Sequence, residues 1–266
     1  MRIRIGLASL TLAALAIAGC AMQQGSSGNA GGKPNGETFV LVHGAWGGAW
    51  DWRNVERGLR ADGHDVYRAQ LTGQGDRVHL ATQDTNLTTH ITDVANLIEF
   101  ENLHNVVLMG HSYGGMVITG VAEKVPERIK CLVYVDALLP NDGESADSIL
   151  AATRNSPPRT PTNGFILPTW AVSPNPPHDV PMPAKAFTET ISLKSAAARK
   201  VPAVYLLLVD PGKTAAEDTF YPCYQRAVAR GWETWTYESD HNAQRSHVAD
   251  LVKMLEKAPG AAKAAK

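Results

Sequence analysis

Apolar residues in this chain gather into short dense runs separated by stretches of helical spacing. Thr38-Phe-Val-Leu-Val42 is continuous and rich in β-branched residues, the pattern of a strand buried on both faces. Trp50, Val55 and Leu59 then share one face of a helix ended by Asp62-Gly63, a turn signal. Residues 64–69 read as a second strand, and 71–77 as a loop. Leu87, Ile91, Val94, Leu97 and Ile98 recur at helical spacing. Residues 105–109 form another apolar run, 112–125 the next helix, and 129–135 a further strand. Strands alternating with helices predict an α/β fold with a doubly wound, mostly parallel sheet.

The alternation breaks at residues 137–200, which hold ten of the sixteen prolines. Proline removes a backbone donor and disfavours both helix interiors and central strands. The stretch is therefore expected to be a Pro-rich lid inserted between two sheet strands, with short helices near 145–153 and 184–198. Sheet character resumes at 203–209. A helix near 215–230, a strand at 233–237 and a closing helix over about 244–257 follow. Residues 258–266, Ala- and Lys-rich, are expected to form a flexible tail.

Composition narrows the picture only at the N-terminus. With 44% hydrophobic residues, 19% charged and a net charge of −1, nothing favours nucleic acid as a partner. Arg2 and Arg4 precede an apolar stretch from Ile5 to Ile17, and Ala18-Gly19-Cys20 closes it. That layout is a secretory signal, too short for a comfortable membrane span. A small pair before a cysteine resembles the lipobox of bacterial lipoproteins. The expectation is a signal over residues 1–19, a lipid on Cys20 and a flexible tether over 20–37. The folded domain would then span 38–257, exported and anchored to a cell-envelope membrane. Ala21, in place of an Asp, points to the outer membrane facing the periplasm. Cys131 and Cys223 are left; an oxidising compartment permits a bridge, but free buried thiols are the favoured reading.

The chemistry centres on Gly110-His111-Ser112-Tyr113-Gly114-Gly115, which lies between a predicted strand and a predicted helix. A strand ending, a Ser in a tight turn and small flanking residues are the requirements of a nucleophile elbow. A serine hydroxyl needs a base and an oxyanion pocket to attack at neutral pH. His241, just after the last strand, is the candidate base. The backbone N–H groups of Tyr113 and of Ala45, in the loop after the first strand, are the candidate oxyanion donors. His43 and His111 adjoin tight turns and are read as packing residues. No metal or cofactor is implied.

His43-Gly-Ala-Trp46, Gly110-His-Ser-Tyr-Gly-Gly-Met116 and Asp240-His241 resemble the plant methyl esterase and hydroxynitrile lyase branch of the α/β-hydrolases, with its bacterial esterase relatives. The resemblance implies the α/β-hydrolase fold and a Ser-His-Asp triad acting on small esters. The lyases of that branch carry Thr at the position of Gly44 and Lys at that of Asn242, so ester hydrolysis is favoured. The plant enzymes place their acid where this chain has Pro211. Asp210, one position early, and Asp136, at the end of the preceding strand, remain as candidates. Asp136 is favoured, and Asp240 is a distant third. A hydroxynitrile lyase, or a ligand-binding lipoprotein of the same fold, are the competing functions.

Overall fold

The computed structural model describes residues 36–154 and 159–265. The expected signal, Cys20 and nearly all of the tether lie outside them. The strands are β1 (Thr38–Val42), β2 (Asp65–Ala69), β3 (Val106–His111) and β4 (Ile129–Val135), the short β5 (Phe165–Ile166) and β6 (Met182–Pro183), then β7 (Ala203–Val209) and β8 (Glu233–Glu238). Six of them make one sheet in the order β2-β1-β3-β4-β7-β8, with every pairing parallel. The remaining two, β5 and β6, form a separate antiparallel pair.

Side chains alternate between two cores because strand residues point to opposite faces. Val40, Val42, Val106 and Leu108 face one core, where α2 (Leu87–Phe100), α3 (Gly114–Lys124) and α6 (Tyr221–Ala229) pack. Phe39, Leu41, Val107 and Met109 face the other, covered by α1 (Arg53–Ala61) and α8 (Val248–Ala261). Both faces are sealed, which is why these strands lack polar alternation. α2 begins at a reciprocal cap: the Asn86 side chain accepts the Thr89 N–H at 2.9 Å, and the Thr89 hydroxyl answers the Asn86 N–H.

Residues 137–202 leave the sheet after β4 and return at β7. They hold α4 (Ala146–Arg154), α5 (Ala184–Thr188) and the β5–β6 pair. The helix expected over 184–198 stops at Thr188. Beyond it the backbone bonds elsewhere: Ile191 N–H donates to the Glu144 carbonyl at 2.9 Å. The N–H groups of Lys194 and Ser195 both donate to the Glu123 carboxylate at 2.7 Å.

One further reading is corrected, that of the tail. The tail is helical as far as Ala261: α8 (Val248–Ala261) takes in Pro259, with Ala258 fully buried. Lys263 then pairs antiparallel with Ala203, through bonds of 2.9 and 3.2 Å. Ala203 faces the β8 side of β7 ahead of the first β7–β8 pair, Val204 with Glu233, and Lys263 takes up its backbone groups, which would be costly to bury unpaired. Cys131 and Cys223 are both free and buried. They occupy opposite faces of the sheet, so no bridge can join them.

Candidate active site

The strand order reverses between β1 and β3, and the crevice outside the carboxyl ends of those strands is where open α/β sheets bind ligands. The loop His43-Gly44-Ala45 leaves β1 there, and Ser112 leaves β3. Two residues turn the chain from β3 into α3, and Ser112 does so with φ of 53°. A left-handed backbone at a non-glycine residue costs about 1–3 kcal/mol. The corner is held by three bonds: Ser112 N–H to Val135 carbonyl at 3.3 Å, and Ser112 carbonyl from Gly115 N–H at 3.1 Å and Leu138 N–H at 3.0 Å. At Gly115 a Cβ would overlap the Leu138 carbonyl, so the helix can start this close to the next strand only with glycine there.

Asp136 follows β4, the neighbour of β3, and it too has a positive φ, 44°. Its N–H donates to the Leu206 carbonyl of β7 at 2.7 Å. The carboxyl group is 2% exposed. Its Oδ2 lies 2.6 Å from Nδ1 of His241, and its Oδ1 accepts the Leu208 N–H at 3.3 Å. Burial pushes this carboxyl above its ordinary range, and the His241 bond pulls it back. Asp210 instead pairs with Lys213 at 2.6 Å, half exposed. The Asp240 carboxylate accepts the Asn242 N–H at 2.8 Å. Neither of these carboxylates bonds to His241 among the described residues.

His241 stands on the loop after β8, 38% exposed. The Phe220 ring stacks on it, centroids 5.0 Å apart and planes within 3°. Its carbonyl accepts Nε2–H of His111 at 2.7 Å, and the two rings approach to 4.5 Å. Phe220 and Ser112 line one cavity with Ala45, Trp46, Tyr113, Leu138, Leu150, Arg159 and Phe187. Phe220 thus touches both the imidazole and the cavity that Ser112 lines. His247 lies apart, its Nδ1 3.0 Å from the Ser239 hydroxyl.

Sequence reasoning did not find Phe220 or the bracing role of His111. The latter had a signal, the residue type between Gly110 and Ser112; the former had none, because chain distance hides the stack. Asp218 was missed as well. Its carboxylate accepts the Phe220 N–H at 2.7 Å, and burial, with the neighbouring Asp136 charge, raises it to about 6.

Around the site three buried histidines stay neutral. His43 donates Nδ1–H to the Gly44 carbonyl at 2.8 Å and accepts the Leu71 N–H on Nε2. Burial depresses it to about 4. His90 donates to the Thr72 carbonyl and accepts the Tyr113 hydroxyl at 3.0 Å, with burial again lowering it to about 4. Burial, and the His241 imidazole next to it, hold His111 well below its usual value. These bonds fix each tautomer. Neither Ala45 N–H nor Tyr113 N–H donates to a protein acceptor among the described residues. Among them, too, no group of three or more His, Cys, Asp or Glu is placed to hold a metal.

Residues 39–254 match the family model described as the alpha/beta hydrolase family. Over 112 residues, 42% of this chain, the sequence is 51% identical to a carbendazim hydrolyzing esterase of Nocardioides sp., covering 46% of that protein. It is 35% identical over 114 residues to methylesterase 1 of Arabidopsis thaliana, covering 42% of this chain and 43% of that one. The matched stretches thus span about half the length of these curated relatives. Among solved structures, an extracellular alpha/beta-hydrolase from a Paenibacillus species superposes with a TM-score of 0.66 at 26% identity. That match covers 84% of this chain and 98% of the other.

Proposed function

Because this chain belongs to the alpha/beta hydrolase family, we propose that it is a serine esterase cleaving small carboxylic esters through an acyl-enzyme. Ser112 is the nucleophile, His241 the general base and Asp136 the acid that orients it. The observation that carries this reading is the 2.6 Å contact between His241 Nδ1 and Asp136 Oδ2, with Phe220 stacked on that imidazole and lining the cavity that holds Ser112. Resemblance to the carbendazim hydrolyzing esterase and to methylesterase 1 supports the same chemistry.

In this reading Nδ1–H of His241 is committed to Asp136, so Nε2 is the free base. It takes the Ser112 proton as Oγ bonds to the ester carbonyl carbon. The carbonyl oxygen gains the negative charge, and the N–H groups of Ala45 and Tyr113 receive it. Collapse breaks the bond to the alkoxy oxygen, which leaves with the proton from Nε2. Water then repeats the sequence against the acyl-enzyme and restores Ser112. Asp136 stays ionised and steadies the imidazolium. Phe220 and His111 keep the ring from rotating away. Gly44 keeps the approach narrow: a Cβ there would come within 3.0 Å of Ser112 Cβ.

The test is labelling by a fluorophosphonate probe together with hydrolysis of p-nitrophenyl esters. Wild type should give both, and Ser112→Ala should lose both, leaving turnover down by about three orders of magnitude or more. Equal signals from the two proteins would defeat the reading. The export signal and the lipid on Cys20 complete the proposal, placing the enzyme on the periplasmic face of the outer membrane. Metabolic labelling with an alkyne fatty acid, absent in Cys20→Ser, tests that part separately.

A further inference from the structure

The cavity over Ser112 has walls of Trp46, Leu138, Leu150, Phe187 and Phe220 and a volume of about 20 Å³. About 10–15 Å³ on this measure holds one water, so nothing much larger than a methyl group fits while the walls stand as they do. The group that closes it is identifiable. Among the described residues, Arg159 is the one charged side chain lining the cavity. Its guanidinium carbon lies 4.9 Å from the Trp46 ring centroid and 5.5 Å from that of Phe187. The two rings are themselves braced. Trp46 donates its indole N–H to the Ile166 carbonyl at 3.0 Å, and Phe187 is 1% exposed. The rings are fixed, and the half-buried arginine is the long, flexible member of the group.

We propose that Arg159 is a specificity-determining residue that limits the size of the ester's arm beside Trp46 and Phe187. The inference rests on the esterase reading above and names its substrate class: esters with a short, slim substituent in that pocket. A guanidinium lying on two aromatic faces is held by cation–π attraction. A small substituent enters after a modest displacement of the side chain. A long one requires the guanidinium to leave both rings and surrender that attraction. Buried Asp147, whose carboxyl is pushed up by burial and drawn back by the Arg159 charge, favours keeping the arginine where it is.

The experiment uses the wild-type chain, Arg159→Ala, Arg159→Gln and Arg159→Lys. Two ester series are assayed, one lengthening the acyl chain on p-nitrophenol and one lengthening the alcohol on acetate. Wild type should prefer the shortest members. In one of the two series Arg159→Ala and Arg159→Gln should raise kcat/KM for an eight-carbon over a four-carbon arm by roughly 10–100-fold, since each added methylene that becomes buried is worth about fourfold. Arg159→Lys, with charge but no planar face, should fall between. A second measurement needs no turnover: calorimetric titration of Ser112→Ala with ethyl butanoate and ethyl octanoate, and with the matching butyl and octyl acetates, with and without Arg159→Ala. Arg159→Ala should tighten the long ester of one pair at least about tenfold and leave its short partner unchanged. Unaltered length ratios in both measurements would overturn the role given to Arg159. Absence of Ser112-dependent turnover in every variant would instead defeat the esterase reading, and the titration would still decide this one.

Discussion

In Asp136→Asn the side chain keeps its shape but loses its charge and one acceptor. The native carboxylate receives Nδ1–H of His241 on one oxygen and Leu208 N–H on the other. An amide has a single oxygen to offer. If that oxygen faces His241, the NH₂ group confronts the Leu208 N–H, donor against donor. If it faces Leu208, the NH₂ donates to Nδ1, and the imidazole must carry its proton on Nε2, where it can no longer take one from Ser112. The wrong tautomer in a serine triad costs about 10⁴-fold in kcat, or about 5.5 kcal/mol of barrier. Stability should move differently. The folded carboxyl sits above its ordinary range, so its contribution favours the fold below the unfolded value and is lost as pH rises through the folded one. At pH 7 removing that charge therefore leaves the melting temperature unchanged or higher. Steady-state hydrolysis of p-nitrophenyl butanoate and a thermal melt, both at pH 7, check the two halves. Asp210→Asn is the control: it breaks an exposed pair worth about 0–1 kcal/mol and should leave kcat within about twofold. A kcat for Asp136→Asn within tenfold of wild type, or an equal loss in Asp210→Asn, refutes the reasoning.

Other outcomes follow from the same geometry. Gly115→Ala drives a methyl into the Leu138 carbonyl and should destabilise the fold by about 1–3 kcal/mol, read as a lower urea midpoint with unchanged slope. Burial raises the Cys131 thiol to about 12 and raises that of Cys223 also. Peptide mapping after iodoacetamide should find both unmodified until the chain is unfolded. His43 and His90 stay neutral in the fold, each lowered to about 4, so between pH 6.5 and 4 the unfolded chain binds more protons than the folded one. Stability from these two should fall with acidification, by up to about 1.4 kcal/mol per pH unit each. A melting temperature that stays flat across that window would contradict the assignment.

The sheet was legible because its strands are buried on both faces: runs such as residues 38–42 and 203–209 admit few other readings. The serine corner was legible for a different reason, since small residues had to bracket Ser112 for helix and strand to approach. The pairing around His241 was only half legible. Sequence offered two acids on adjacent strands, and a shift of one residue in the loop after β7 decides what Asp210 faces. It faces Lys213. The helix expected through residue 198 ended at Thr188 because acceptors distant in the chain, Glu123 and Glu144, claim its backbone donors. The tail misled in the opposite direction: Ala- and Lys-rich composition reads as frayed, yet Ala258 fits a fully buried slot. Phe220 against His241 has no local signature at all.

Ser112 and Asp136 cap neighbouring, hydrogen-bonded strands, and the bonds that hold their backbones come from residues no further along the excursion than Leu138. The proposed nucleophile and acid thus sit on the sheet itself, while Arg159 and Phe187 belong to the excursion between β4 and β7. If the proposed function holds, replacing the stretch between Pro140 and Val201 with a relative's would be expected to change which esters are accepted while leaving Ser112, Asp136 and His241 in place.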